Sequence, residues 1–170
     1  MDIPLPLFIG GAQDGGTGSP GSTWLPGHRE KLSLIQRTWA AAGCGAVVAP
    51  TFGGNRFCLP CRGGEVDVRG YNRILVELTR RAVGAEVLVA GGMGPAGQEL
   101  EPFGDVSFEA LVTAYTEQAA ALEEAGVDLF LLAEGMSMAE ERAAMLAVGQ
   151  ASGKPVVVLA RCDDEGRTES

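Results

Sequence analysis

The side chains best suited to chemistry fall in a few short stretches. Cys58-Leu59-Pro60-Cys61 has the C-x-x-C spacing that supplies half of a four-ligand zinc site. No second pair follows, and Cys44, Cys162 and the only histidine, His28, are scattered. A thioredoxin-like redox role would need the pair to open a helix in a βαβ setting. Cys44, at a helix–strand junction, reads as a small buried hydrophobe. His28 precedes the first long helix and reads as a helix-entry residue rather than a general base. Cys162 comes near the end of the last strand and could face the mouth of a site. Met136, Met138 and Met145 read as core filling rather than a cofactor pocket. These residues are expected to hold no metal.

The remaining candidates follow apolar runs. The first run leads into Gly10-Gly11-Ala12-Gln13-Asp14-Gly15-Gly16-Thr17-Gly18, and the second into Pro50-Thr51-Phe52-Gly53-Gly54-Asn55-Arg56. The third leads into Gly91-Gly92-Met93-Gly94-Pro95-Ala96-Gly97 and then Glu101-Pro102-Phe103-Gly104-Asp105. The fourth ends in Ala133-Glu134-Gly135-Met136-Ser137. A nucleotide-binding reading fails, because no GxGxxG opens directly into a helix and no GxxxxGK[ST] is present.

The elements that must position these loops are legible. Ala42-Gly43, Val83-Gly84, Ala125-Gly126 and Ser152-Gly153 each precede a β-branched or apolar run. Glycine just past a helix end supplies a left-handed C′ position, and a short loop then feeds the next strand. The runs 46–49, 87–90, 127–132 and 155–160 are apolar apart from Asp128 rather than alternating, as strands buried on both faces are. A run over 5–9 makes the first strand. Between the strands the period is helical. Leu32, Ile35 and Trp39 form one stripe, and Tyr71, Ile74, Leu75 and Leu78 a second. Phe108, Leu111, Val112, Tyr115, Ala119 and Leu122 form a third. Ser137 with Glu140 is a capping box that opens the fourth helix.

Strand alternating with helix predicts a parallel sheet whose functional loops lie at the strands' C-terminal ends. A closed barrel of this type takes eight such units and about 250 residues. The expectation for 170 residues is therefore α/β, a partial (β/α)8 barrel of five parallel strands and four helices. A net charge of −9 argues against nucleic acid and anionic lipid as partners. No apolar run approaches the roughly 20 residues that span a bilayer. The first residues lack the pattern of a signal peptide. A cytoplasmic protein with reduced thiols is the simplest expectation.

In order and spacing, these loops resemble the homocysteine S-methyltransferase family, the homocysteine-binding module of methionine synthases and betaine–homocysteine methyltransferases. In that family the first strand ends in DG[AG]MGT and the second in TFGAN. The third ends in a GSxGP run followed by a PxGD turn, and the fourth in an ET dipeptide. The likeness spans 5–168. It implies a (β/α)8 barrel that binds homocysteine at its C-terminal face and methylates its sulfur. Zinc held by three cysteines would take that sulfur as thiolate. The donor varies and includes methylcobalamin on a partner domain.

Carried over by residue, Glu134 matches the glutamate that holds the substrate amino group. Thr51 matches the threonine lining the substrate site, and Asn55 the asparagine that orders the TFGAN loop. Asp14-Gly15 matches the family Asp-Gly in one register; in the other, Gly10 stands where the aspartate belongs. Glu134-Gly135 departs from the family's Glu-Thr. The zinc cysteines of the family follow strands six and eight, in GxNC and GGCC runs, and the sequence stops before either.

The resemblance thus implies that residues 1–170 are the N-terminal portion of a homocysteine-binding barrel, without its zinc-ligand half. A corrinoid-carrying protein or a complementing C-terminal half would be its partner. The alternatives are a non-catalytic homocysteine-binding or interaction module, and a truncated, inactive fragment.

Overall fold

The computed structural model describes residues 9–10, 25–60, 67–159 and 165. The elements alternate as β1 (Ile9–Gly10), α1 (Leu25–Ala41), β2 (Ala46–Ala49), α2 (Val68–Val83) and β3 (Leu88–Met93). They continue as α3 (Phe108–Glu124), β4 (Leu129–Leu132), α4 (Met138–Ala151) and β5 (Val156–Val158). All strand pairings are parallel and the order is β1-β2-β3-β4-β5. Each helix packs on the next in sequence, α1 on α2, α2 on α3 and α3 on α4. This is the expected five-stranded partial barrel.

Local signals explain most element ends. The Ser107 hydroxyl accepts from Ala110 N at α3, and the Ser137–Glu140 capping box is present at α4. Gly43, Gly84 and Gly126 follow α1, α2 and α3 with φ of +91°, +81° and +83°, the left-handed region that favours glycine. Gly153 does not follow them. Ser152 ends α4 in an extended conformation, φ −153°, with its N–H on Val148 O.

Strand residues alternate between two cores. Ala49, Val89, Phe130 and Leu132 face the helices and pack with Leu111, Tyr115 and Leu122 of α3 and Ala143, Ala147 and Val148 of α4. Ala46, Val48, Ala90, Leu129 and Leu131 make the other face, with Phe52 against it. Burial of a side chain such as Phe130 or Leu132 is worth about 1.5–3 kcal/mol each.

Several details differ from the sequence expectation. β3 does not end at residue 90 but continues through Gly91 and Gly92 to Met93. Glycine is a poor strand former alone, but neighbours fill the space here. A β-carbon at Gly92 would lie 2.7 Å from Phe52, and one at Gly91 would lie 3.1 Å from Val127. The α2 stripe is rotated from the one predicted. Val68, Asn72, Leu75, Val76 and Thr79 are buried, while Ile74 is exposed. Of the three methionines only Met136 is core; Met138 and Met145 are exposed. Cys44 is half-buried rather than buried. His28 falls inside α1, within its first turn. β5 is shorter than the predicted run, and Val158 and Leu159 at its end are each 40% exposed.

At the N-terminal edge of the sheet, Asp128 accepts from Arg80 Nη2 and from Val89 N, the latter at 2.7 Å. Arg80 Nη1 also donates to Val87 O at 3.0 Å. α2 is thereby clamped to the starts of β3 and β4, away from the C-terminal loops. No helix among the described residues is long and apolar enough to cross a membrane.

Candidate active site

The loops leaving β2, β3 and β4 are joined at the C-terminal edge of the sheet. Thr51, fully buried, donates its hydroxyl to Gly92 O at 2.7 Å, with Ala49 O at 3.3 Å. Gly94 N donates to Phe52 O at 3.1 Å, so the second and third exits share backbone and side-chain bonds. Ala133 N donates to Met93 O at 2.8 Å and brings in the fourth.

Asn55, also fully buried, shapes the β2 exit from within. Its Oδ1 accepts from Phe57 N and Cys58 N at 3.0 Å each. This is an Asx-type turn, in which a short side chain stands in for backbone. Its Nδ2 has no hydrogen-bond partner among the described residues. Cys58 Sγ lies 3.6 Å from the carbonyl oxygens of both Pro95 and Ala96.

Glu134, the first residue after Ala133 at the end of β4, is exposed. It has no hydrogen-bond or ion-pair partner among the described residues. Gly135, next to it, has φ +86°, which turns the chain at once toward α4. The structure therefore brings Thr51, Asn55 and Glu134 to one edge of the sheet. Asp14 and Gly15 lie outside the described residues, whereas Gly10, the position of the alternative register, ends β1 and pairs with Val47.

Helix side chains to which the sequence reading gave no role at these loops brace them from behind. Asn72 Nδ2 donates to Gly54 O at 2.8 Å, and Gln118 Nε2 to Thr51 O at 2.8 Å. Tyr115 donates its hydroxyl to Gly94 O at 3.1 Å. Glu140 Oε1 accepts from Ala96 N at 2.8 Å. All four are buried. Burial first, and then the negative charge of Glu140, hold the Tyr115 phenol far above its usual pKa, so it stays a donor. A usable signal existed for Gln118, an amide among the apolar positions of the α3 stripe, where polar groups are kept only with partners; Asn72 lay off the predicted α2 stripe.

A profile of the family described as Homocysteine S-methyltransferase matches residues 14–170. The chain belongs to the homocysteine S-methyltransferase family. Its fold is shared with three crystal structures of the homocysteine methyltransferase MmuM from Escherichia coli. The metallated form superposes with a TM-score of 0.72 at 20% identity, covering 95% of this chain and 65% of that one. The oxidized form gives 0.69 at 20% identity, covering 95% and 66%. The apo form gives 0.61 at 21%, covering 95% and 64%. This family member thus spans under two thirds of the metallated MmuM chain.

Members of the homocysteine S-methyltransferase family use zinc, and the described residues do not fit that metal. No three of their His, Cys, Asp and Glu side chains come together as ligands. Cys58 Sγ lies against the carbonyl oxygens of Pro95 and Ala96, and Cys61 and Cys162 lie outside the described residues.

Proposed function

We propose that this chain is the homocysteine-binding part of a homocysteine S-methyltransferase, residues 1–170 forming the N-terminal portion of its (β/α)8 domain. The observation that carries this reading is the placement of Glu134. An exposed carboxylate stands at the C-terminal end of β4, on a short loop tied to the exit of β3. Such a group pairs with an ammonium through charge-assisted hydrogen bonds. Thr51 and Asn55 hold the adjacent wall, their hydroxyl and carbonyl committed to backbone partners. Asp14 and Gly15 are substrate-binding residues in this reading, and the family match begins at Asp14.

The family's reaction joins the homocysteine sulfur to a methyl carbon while the donor–methyl bond breaks. Thiolate is the reactive form of that sulfur. The described residues supply recognition of the amino-acid end and not the metal that takes the sulfur. In this reading the partners in methyl transfer are a complementing C-terminal half and, where the donor is a methylcorrinoid, the protein that carries it. We read the setting as cytoplasmic.

Titration calorimetry of homocysteine against the wild-type chain and Glu134→Gln tests the proposal. A charge-assisted hydrogen bond is worth about 1.5–3 kcal/mol, so the variant should bind about ten-fold more weakly or worse. Equal affinities, or no heat from either protein, would remove Glu134 from the site.

A further inference from the structure

The loop that carries Glu134 is fastened at both ends to one short stretch of a neighbouring strand's exit. At its start Ala133 N reaches Met93 O at 2.8 Å. At its end stands Ser137, the N-cap of α4. Glu140 Oε2 accepts from Ser137 N at 2.9 Å and lies 3.2 Å from the Ser137 hydroxyl. The other carboxylate oxygen leaves its own helix. Oε1 accepts from Ala96 N at 2.8 Å, across 44 residues of sequence.

A capping box needs only the reciprocal bonds between N-cap and N3, and its glutamate is ordinarily a surface residue. Glu140 is 6% exposed. A buried carboxylate is tolerated when several donors satisfy it, and here the donors come from two different strand exits. Between the two anchors only Glu134, Gly135 and Met136 bridge the gap, with Gly135 already turned and Met136 buried. Little freedom is left in where the Glu134 backbone stands.

We infer that Glu140 is a positioning residue. Its carboxylate locks the 134–137 loop to the exit of β3 and so sets the place of the Glu134 carboxylate. The inference rests on the proposed function only in taking Glu134 as the ammonium partner. The locking itself is a property of the fold.

Amide hydrogen exchange on the full chain, read residue by residue, tests the lock without any ligand. Glu140→Gln keeps the size of the side chain but turns an NH2 toward one of the two donors. It should speed exchange at Ala96 and Ser137 ten-fold or more while Val89 and Phe130, within the sheet, keep their protection. Ser137→Ala removes the hydroxyl cap and leaves the bond to Ala96, so it should speed exchange at the start of α4 alone. Glu140→Asp retains the charge but is one methylene too short, and should free Ala96 as Glu140→Gln does. It also stands in if the glutamine variant fails to fold. Homocysteine titration adds the functional arm. Glu140→Gln should weaken binding three- to ten-fold in the wild-type background and have no further effect on Glu134→Gln.

Unchanged exchange at Ala96 in both Glu140 variants would overturn the inference. So would a full loss of affinity from Glu140→Gln on top of Glu134→Gln, since the effect would then bypass Glu134. Should the wild-type chain give no heat with homocysteine, the substrate reading falls, while freed exchange at Ala96 and Ser137 still upholds the lock.

Discussion

The Tyr115 hydroxyl donates to Gly94 O at 3.1 Å, joining the middle of α3 to the exit of β3 inside the protein. The ring is fully buried, and its phenol is held far above the usual range by burial and by the nearby Glu140 carboxylate. One side chain is thus both core and loop support.

Its replacement has a defined consequence. Tyr115→Phe keeps the ring and leaves Gly94 O without that donor, at a cost of about 1 kcal/mol. The pH dependence also follows. A phenol with a raised folded-state pKa binds its proton more tightly when folded, so its contribution is complete below about pH 10. Above that the unfolded chain loses the proton and the folded chain keeps it, so stability declines as pH rises. Urea unfolding of both proteins between pH 8 and 11 measures this; the wild type should lose its advantage over Tyr115→Phe as the solution becomes alkaline. A constant difference across the range would show that Tyr115 does not carry the alkaline loss.

Gly54 stands where the TFGAN run of the family has alanine, and Asn72 occupies the room that alanine's methyl would take. A β-carbon at Gly54 would lie 2.4 Å from Asn72 Oδ1 and 2.8 Å from Nδ2. Asn72 cannot yield without giving up its bonds to Gly54 O and Val68 O. Gly54→Ala should therefore destabilise the chain by about 2 kcal/mol. Adding Asn72→Ala should restore part of that, because the collision disappears. Denaturant midpoints of the two single variants and the double variant give the coupling. Additive losses would mean that the two positions do not compete for the same space.

At the opposite edge of the sheet, Asp128→Ala would strip Val89 N of its acceptor and Arg80 of its ion-pair partner, leaving Arg80 its bond to Val87 O. Both side chains are partly exposed, at 33% and 22% for Arg80 and Asp128, which weakens the ion pair but not the need of Val89 N. A loss of about 2 kcal/mol in unfolding free energy is expected, with amide exchange at Ala96 unchanged. Loosened C-terminal loops in this variant would show that the two edges of the sheet are coupled.

Much of the architecture could be read before any coordinates. The glycines after α1, α2 and α3 and the capping box at α4 are encoded within about four residues, and each appears where the pattern put it. The order of the parallel strands follows because consecutive βα units add side by side with right-handed crossovers. Family membership was legible too, through the ordered loop motifs.

What only the tertiary structure decided depends on partners distant in sequence. The run Gly91-Gly92-Met93 reads locally as loop, yet it is strand because Phe52, Leu122 and Val127 fill the missing side-chain space. The inward face of α2 is turned toward Asn72 and Thr79 because Gly54 and Gln36 wait there as hydrogen-bond partners, 18 and 43 residues away. Thr51, read from sequence as a residue lining a pocket, has its hydroxyl on Gly92 O, 41 residues on. Glu140, read as a helix cap, also holds the β3 exit. A polar side chain in an apolar stripe announces that it has a partner; which partner is settled only when the chain closes on itself, because burial without one costs more than a misplaced apolar contact.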